Sequence, residues 1–355
     1  MPTSSLPPLR DLPGAVRRET VLRVTIRRLE RELARAGRDG RPVLVGPWLS
    51  EIGFEVLYWI PMLRRLAQRH GLAREQMTAV SRGGAEPWYR DLCGGYVDVL
   101  DLVSPDELRA ANHRRALASE SQKQLAVTAF DREILARAGA TSGGLRPALM
   151  HPLLMYGRLR YLWGGQEPMS SLPESVAYGP MAPPALPPEV RGALPNPYAA
   201  VKVYFSDCFP ENEENRRFAS ALVAGLRELG DVVLLSAGAE LDDHRDFLPE
   251  PSGGLHDASR WMTPRDNLAV QTAIVAGARS LWATYGGFSY LGPFLGVPTA
   301  SFYSEQNFLP AHLEVMGRAA ADLGRPPPRV SPVSSLSVTP ADLRTAEAAL
   351  GSPRP

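Results

Sequence analysis

The stretch SLWATYGGFSYLGPFLGVPTASFYS, residues 280–304, decides the fold that the sequence predicts. Its first five residues form a short apolar run, long enough for a buried strand, which ends just before the glycine pair Gly286-Gly287. Apolar residues then recur at helical spacing until Pro298 stops the helix, and a second apolar run follows over 299–303. Strand, glycine turn, helix and strand form a βαβ unit, whose crossover places two parallel strands side by side.

The same alternation of short apolar runs and helical segments extends to both sides of this unit. Strand-like runs occur at 42–46, 77–81 and 97–102 in the first half of the chain, and at 199–205 and 231–236 in the second. This alternation is typical of parallel, doubly wound sheets. We therefore predict an α/β protein with two Rossmann-like doubly wound domains that face each other across a cleft.

A proline-dense segment separates the two sets of strands. Such density forbids a continuous helix or a central strand and is typical of an interdomain linker. Between 104 and 160 only helical segments are predicted, without strands. The predicted organisation is a disordered N-terminus at 1–14, a first domain at 15–167 with a helical insertion at 104–163, a linker at 168–197, a second domain at 198–330, and a tail at 331–355 with one short helix.

The composition of the chain excludes several classes of protein. A formal net charge of +1 gives no electrostatic case for nucleic acid as the main partner. The two cysteines, Cys93 and Cys208, lack metal-ligand spacing and suit a reducing cytoplasm. No apolar run reaches the ~18 residues of a membrane span, and the start of the sequence lacks the apolar core of a secretory signal. We therefore expect a cytoplasmic location.

An arginine-rich segment at 16–36 has the periodicity of an amphipathic helix, with Leu22, Ile26, Leu29 and Leu33 on one side. Two interpretations stay open. A basic amphipathic helix can lie on an anionic membrane surface, which would make the protein membrane-peripheral. It can also pack as an ordinary surface helix on its own domain.

Polar and glycine-rich residues follow the predicted strands, and doubly wound sheets bind ligands beyond the carboxyl ends of their strands. The alternative interpretation of each position is an ordinary short turn between strand and helix. In the second half these residues are Ser206-Asp207, Ser236 and Tyr285-Gly286-Gly287, and in the first half they are the segment 46–55 and Arg82-Gly83-Gly84.

These motifs resemble those of GT-B glycosyltransferases, in particular the heptosyltransferase group, with similarity also to protein O-fucosyltransferases. Heptosyltransferases carry an aspartate-threonine-glycine-leucine-serine-histidine segment, which is followed by a helix, a proline and an apolar strand. In this chain residues 285–290 occupy the corresponding place, and Tyr285 replaces the aspartate. They also carry a glycine-aspartate pair before an apolar helix. Here Phe54 separates Gly53 from Glu55. The resemblance covers both domain cores in order but not the helices at 104–160.

The resemblance implies transfer of a sugar from a nucleotide diphosphate sugar to the hydroxyl of a glycan or glycoconjugate acceptor. It also implies inversion at the anomeric carbon, catalysis without a metal or other cofactor, and a place in bacterial polysaccharide or glycoconjugate synthesis. Such a reaction needs a carboxylate to take the acceptor proton. Glu55 is the first candidate and Glu51 the second. The alternative role for Glu55 is a first-turn carboxylate that interacts with the helix dipole.

The leaving diphosphate needs positive charge and N–H dipoles. The candidates are the backbone N–H groups at the glycine turn and one cation or hydroxyl of the second domain. Two polar residues spaced i, i+4 share a helix face that suits the nucleotide. The predicted donor-binding residues are Tyr285, Gly286, Gly287, Phe288 and Ser289 at the turn, one of Lys202, Ser206 and Arg216, and Asn267 with Gln271 on the helix.

Other interpretations stay open at this point. The Asp242-Asp243-His244 loop has the composition of a divalent metal site, although no metal is expected from the resemblance. Trp48, Trp59 and Trp88 either stack on an acceptor sugar or pack in the core. No dinucleotide fingerprint or P-loop is present, which disfavours a dehydrogenase or a kinase. Two rival functions are a sugar-nucleotide epimerase of similar two-domain build and a non-catalytic protein that binds a sugar or nucleotide.

Overall fold

The computed structural model describes residues 14–119, 123–140, 146–236, 245–250 and 252–350. The predicted disorder over 1–13 and the Asp242-Asp243-His244 loop lie outside these residues. The described chain contains two separate parallel sheets, as predicted, with helices packed on both faces. The helices are α1 (Gly14–Asp39), α2 (Ile52–Phe54), α3 (Ile60–His70), α4 (Glu86–Tyr89), α5 (Pro105–Ser119), α6 (Ala129–Gly139), α7 (Leu153–Trp163), α8 (Leu172–Ser175), α9 (Pro188–Ala193), α10 (Glu213–Leu229), α11 (Asn267–Gly277), α12 (Leu291–Leu295), α13 (Pro310–Asp322) and α14 (Pro340–Leu350).

The first sheet has the strand order β3-β2-β1-β4, with parallel pairing throughout. Counted along the chain this is 3-2-1-4, so the order reverses between β1 and β4. Apolar runs of three to five residues form these strands because both faces of the sheet are covered by helices. The strands are β1 (Val43–Val45), β2 (Met77–Ser81), β3 (Gly95–Asp98) and β4 (Ala148–Met150).

The second sheet has the order β12-β11-β10-β5-β7-β9, again with parallel pairing. When the six strands of this sheet are numbered 1 to 6 in chain order, the order reads 6-5-4-1-2-3, which is the Rossmann order. The switch point lies between β5 and β10. A two-stranded antiparallel ribbon, β6-β8, lies beside it. The strands are β5 (Tyr198–Lys202), β6 (Tyr204–Phe205), β7 (Asp231–Leu234), β8 (Arg245–Asp246), β9 (Leu255–Asp257), β10 (Ser280–Thr284), β11 (Thr299–Tyr303) and β12 (Arg329–Pro332).

The structure corrects the prediction of a strand-free helical insertion at 104–163. β4 lies inside this segment and pairs in parallel with β1, so that Val43 is opposite Ala148. Only His151 and Pro152 separate its three residues from the apolar helix α7, and such a short run has no periodicity that would distinguish it from a helix. Within the described part of this segment, α5 and α6 precede β4, and α7 follows it.

The predicted tail at 331–355 is likewise not separate from the second domain. β12 pairs with β11 over Arg329 to Pro332, and α14 packs on α10, where Leu343 is fully buried. A Cβ built on Gly225 of α10 would lie 2.7 Å from Leu343 Cδ1, which explains the glycine.

The two domains share one continuous apolar interface. The largest core cluster includes Val56 and Leu57 of the first domain together with Leu268, Phe288 and Leu291 of the second. The predicted linker touches both sides, because Ala177 N–H donates to Pro61 O and Met181 N–H donates to Phe294 O. None of the described helices has a stretch sufficiently long and apolar to span a bilayer.

Candidate functional site

The carboxyl ends of the two sheets meet at two glycine-bearing turns. A Cβ built on Gly53 would lie 3.0 Å from Gly287 N and 3.3 Å from Gly287 Cα. On the other side, Gly83 O accepts a 2.8 Å hydrogen bond from Leu268 N–H at the start of α11. The loops that follow β1 and β2 therefore lie directly against the turn after β10 and the first turn of α11.

Glu55 lies beside this contact and is fully buried. Its Oε1 accepts hydrogen bonds of 2.6 Å from Ser81 Oγ and 2.6 Å from Tyr89 OH. Its Oε2 is buried and has no hydrogen-bond partner among the described residues. Burial raises the pKa of Glu55 from 4.5 to about 7, against the opposing effect of the Arg82 charge. A carboxyl with this pKa exchanges protons near neutral pH, as a general base must.

A π-helical turn, Glu55–Trp59, joins α2 to α3, and Glu55 is its first residue. Ile60 N–H donates to Glu55 O, five residues earlier. Pro61 follows, and its ring would clash with the carbonyl of Leu57 in a regular α-helix. The wider turn accommodates that ring. Single π-turns of this kind occur frequently at functional sites.

The second predicted base, Glu51, lies half-buried immediately before α2. Its main-chain oxygen accepts a 3.2 Å hydrogen bond from Glu55 N–H. The two glutamates are thus one helical turn apart, but only the carboxyl of Glu55 lies in the buried pocket with Ser81 and Tyr89.

Two residues around Glu55 were missed from the sequence. Ser81 is the last residue of β2, and the rule that ligands lie beyond strand ends would have identified it. Tyr89 lies on α4, which gives no comparable signal. Arg82 was named only as part of a turn, yet its side chain is 5% exposed and its Nη2 donates a 2.6 Å hydrogen bond to Ser50 O.

The glycine turn of the second domain lies at the switch point of its sheet. Gly286 has φ 102°, in the region that favours glycine. Tyr204 follows β5 and links it to the residues at the end of β10. Its N–H donates to Thr284 Oγ1 (3.1 Å) and its hydroxyl donates to Tyr285 O (3.3 Å). Tyr285 itself is buried.

The predicted phosphate-binding N–H groups are only partly available. Ser289 N–H donates to Gly286 O at 2.8 Å and so belongs to the turn itself, whereas Gly287 N lies against Gly53. Phe288 is buried beneath the turn, and Ser289 Oγ is buried without a hydrogen-bond partner in the part of the chain that is described. Gly53 thus narrows the approach to Gly287 N–H, and Gly287 itself is half-buried.

The structure does not bring Lys202, Ser206 and Arg216 together. Lys202 lies at the switch point, but its Nζ donates to Leu235 O at 2.7 Å and pairs with Asp246 Oδ1 at 2.7 Å. Ser206 forms an isolated bridge with Phe209.

Arg216 lies on the exposed side of α10, where it pairs with Glu211 and lies over the ring of Phe205. Of the three predicted alternatives, Lys202 is the one at the carboxyl end of a central strand. Its ammonium group already contacts Leu235 O and the Asp246 carboxylate.

Asn267 and Gln271 share one face of α11, as predicted, but this face packs on the first domain. Asn267 Oδ1 would lie 3.1 Å from a Cβ built on Gly83, and Trp88 Nε1 donates to Thr272 Oγ1 at 2.9 Å. Gln271 Oε1 is buried and unpaired within the described ranges.

The three tryptophans lie in the core. Trp48 and Trp59 are fully buried and stack with ring centroids 5.9 Å apart, and Trp88 is 2% exposed. They are not open to an acceptor sugar in this conformation. Among the residues described, no group of three or more His, Cys, Asp or Glu side chains could hold a metal ion.

An aromatic cluster that was missed from the sequence also joins the domains. His312 of α13 packs against Phe54, Tyr58 and Trp163 of the first domain, with ring centroids 5.5–6.0 Å apart. Tyr58 OH and His312 Nδ1 form a short hydrogen bond. Burial, assisted by the charge of Lys123, lowers the pKa of His312 from 6.5 to about 4.

We expect His312 to make the folded protein less stable as the pH falls from 6.5 to 4. The unfolded chain binds a proton on this histidine near pH 6.5 and the folded chain only near pH 4, so the free energy of unfolding falls in this window. In a His312→Gln variant, urea unfolding at pH 7 and 4.5 should show a smaller loss than in the wild type. An equal loss in both proteins contradicts this assignment.

Comparison with known proteins identifies structural similarity only. No protein-family model matches the chain, and no curated protein matches it either. Among solved structures, it is similar to the E. coli ADP-heptose LPS heptosyltransferase II, at 13% identity and a TM-score of 0.49, over 87% of this chain and 98% of the other. It is also similar to a family 9 glycosyl transferase from Veillonella parvula DSM 2008, at 14% identity and a TM-score of 0.43, over 87% and 97%.

A third similar structure is a putative UDP-N-acetylglucosamine 2-epimerase from Listeria monocytogenes, at 10% identity and a TM-score of 0.37, over 87% of this chain and 88% of the other. The fold prediction of two Rossmann-like domains is confirmed by the two sheets themselves.

Proposed function

We propose that this protein is a glycosyltransferase that moves a sugar from a nucleotide diphosphate sugar to an acceptor hydroxyl. The observation that carries the proposal is the contact between Gly53 and Gly287. It places a buried carboxyl with a pKa of about 7, Glu55, next to the switch point of a Rossmann sheet. Sheets of this order bind nucleotides at that point.

In the proposed reaction the acceptor oxygen attacks the anomeric carbon while Glu55 takes the hydroxyl proton. The bond from the anomeric carbon to the diphosphate oxygen breaks, and the diphosphate leaves with the electron pair. A single displacement inverts the anomeric centre. Hydrogen bonds from Ser81 and Tyr89 to Oε1 fix the carboxyl, so the unpaired Oε2 is the oxygen that receives the proton. No metal takes part in this proposal, and the leaving charge is stabilised by protein groups.

The proposal includes a movement of the domains. The donor binds beyond the carboxyl ends of β5 and β10 when Gly53 and Gly287 are apart, and closure then brings Glu55 towards the anomeric carbon. Closure of this kind excludes water and completes a catalytic site in many enzymes. The biological setting, bacterial polysaccharide or glycoconjugate synthesis, rests on the motif resemblance, and the cytoplasmic location rests on the composition of the chain.

Thermal unfolding of the protein with UDP, GDP, ADP, CDP and dTDP tests the donor site. A ligand at about 100 times its Kd that binds only the folded state adds ~2.7 kcal/mol to the free energy of unfolding. We expect one diphosphate to raise the Tm, and we expect the rise to survive EDTA. A rise that needs magnesium contradicts metal independence. No rise with any diphosphate, in folded protein, contradicts the donor site and favours a protein that binds something else.

Peripheral membrane contact is the second part of the proposal. The inner face of α1 is buried through Leu29 and Leu33, so the helix packs on its own domain. Its solvent face is basic, because Arg27, Arg31 and Arg35 are exposed and form no ion pair with the described acidic residues. An anionic bilayer attracts such residues by about 1 kcal/mol per charge.

We expect vesicles with one-third anionic lipid to bind the protein and neutral vesicles not to bind it. Replacing Arg27, Arg31 and Arg35 with glutamine should weaken sedimentation with anionic vesicles by about 100-fold. A matched triple variant, with Arg109, Arg217 and Arg318 replaced by glutamine, should bind as the wild type does. Equal loss in both variants means that net charge, and not the face of α1, drives the binding.

A further inference from the structure

Arg82 is a buried cation without a carboxylate partner. It follows β2 and is 5% exposed. Its Nη2 donates to Ser50 O at 2.6 Å, and it forms no ion pair with any acidic residue in the described ranges. A buried charge lowers the stability of the fold unless it is paired. An unpaired buried guanidinium is therefore expected where it has a functional role.

Other buried cations of the chain are paired. Arg115 lies 3.4 Å from Asp131 Oδ1, and Lys202 lies 2.7 Å from Asp246 Oδ1. Arg82 differs from both, although its burial is similar. The usual way in which this fold stabilises an internal cation is therefore missing at this position.

The charge of Arg82 lowers the pKa of Glu55, but the two groups form no ion pair. Glu55 Oε1 is held by Ser81 and Tyr89, and no hydrogen bond from Arg82 reaches Oε2. A close ion pair would lower the pKa of the carboxyl below 4.5, whereas burial outweighs the arginine and the pKa is about 7. Glu55 is therefore about half neutral at pH 7 and does not form a close ion pair with Arg82.

Arg82 follows β2 at the carboxyl end of the first sheet, and this end faces the second domain. Its neighbour Gly83 packs against Leu268 and Asn267 of α11, and Ser50, its hydrogen-bond partner, precedes the loop that meets Gly287. An anion that enters between the domains beside Glu55 would meet this guanidinium.

We propose that Arg82 binds an anionic oxygen group of a substrate, a phosphate or a carboxylate, next to Glu55. The proposal rests on the proposed function for the identity of the substrate, and the group belongs either to the donor diphosphate or to an acidic acceptor. A planar guanidinium with free N–H groups suits either oxyanion. The bound anion also offsets the arginine charge near Glu55, which makes this carboxylate a stronger base when the substrate is present.

The experiment measures the binding of inorganic phosphate by calorimetry, at constant ionic strength, to the wild type and to Arg82→Gln, Arg82→Lys and Arg109→Gln. A charge-assisted hydrogen bond corresponds to about a tenfold to hundredfold change in Kd. We expect this loss in Arg82→Gln, a smaller loss in Arg82→Lys, and none in Arg109→Gln, the exposed control. If the glutamine variant does not fold, the lysine variant decides the question through its loss of the bidentate geometry.

A second titration, with the nucleoside diphosphate that binds best, separates the two sources of the anion. If the donor diphosphate occupies the site, it displaces phosphate and binds Arg82→Gln more weakly. If an acidic acceptor occupies it, phosphate and the diphosphate bind together and the diphosphate affinity is unchanged. Phosphate that binds all variants equally, or that does not bind the wild type, overturns the inference. Failure of every diphosphate to bind, with phosphate still dependent on Arg82, contradicts the proposed function alone.

Discussion

Replacing Glu55 with glutamine lowers the rate of sugar transfer by about 10²–10⁴-fold, because the variant has no group at this position that accepts a proton. Glutamine has the shape of the protonated carboxyl, and its amide oxygen can keep the hydrogen bonds from Ser81 and Tyr89. The affinity for the nucleoside diphosphate should therefore stay unchanged. Initial rates at saturating donor, with the release of nucleoside diphosphate as the signal, measure the effect.

The same variant gives a second result that does not depend on activity. The pKa of Glu55 is 4.5 in the unfolded chain and about 7 in the folded one. The folded state therefore binds more protons between these values, and the free energy of unfolding falls as the pH rises through this window. At pH 8 the wild type has lost about 3 kcal/mol of its free energy of unfolding through the ionisation of Glu55, and Glu55→Gln does not lose it. The variant should be the more stable protein at pH 8, with little difference at pH 5.

Glu51→Gln is the matched control for the rate experiment. Glu51 lies one turn earlier and outside the buried pocket, so its replacement should have a small effect on the rate. If Glu51→Gln abolishes transfer and Glu55→Gln does not, Glu51 is the base and Glu55 is a structural carboxyl. If neither variant loses activity, neither glutamate has the proposed role.

Replacing Gly53 with valine should lower the transfer rate by more than 100-fold while donor affinity is retained. The Cβ alone would lie 3.0 Å from Gly287 N, and a branched side chain prevents the two turns from meeting. Overpacking of this kind also costs about 1–3 kcal/mol of stability. The donor still binds because its proposed site lies in the second domain. Steady-state rates and calorimetric affinity for the diphosphate separate the two effects.

Gly192 supplies the control for this prediction, because a Cβ at that position meets nothing within 4 Å. Gly192→Val should keep the wild-type rate, and Gly53→Ala should give an intermediate one. A Gly53→Val protein with normal activity would mean that the closed contact between the domains is not needed in the reaction.

The parts of this fold that depend on local sequence were predictable. The unit at 280–304 is β10, a tight turn, α12 and β11, because glycine and proline mark its boundaries whatever the rest of the chain does. β4 was missed, because three residues give no periodicity and its identity comes from pairing with β1. Short strands that exist only through tertiary pairing cannot be identified from a single sequence.

The candidate site was predictable to the same extent. The positions of Glu55 and of the glycines after β10 in the fold were predictable, since they follow strands or begin a helix, and their roles stay predictions. The role of Lys202 depends on Asp246, which lies on the two-residue strand β8, far away in sequence. The burial that raises the pKa of Glu55, and the lack of an ion pair between Arg82 and the described acidic residues, likewise arise from the packing of separate segments.

The most direct test of the proposed activity follows nucleotide sugars by proton NMR in the absence of any acceptor. Sugars linked to UDP, GDP, ADP, CDP and dTDP are each incubated with the wild type and with Glu55→Gln, and water takes the place of the acceptor. The account predicts slow release of one nucleoside diphosphate, with the sugar first appearing in the inverted anomeric form, and no release by Glu55→Gln. Conversion into an isomeric nucleotide sugar, or no consumption of any donor by folded protein, would contradict it.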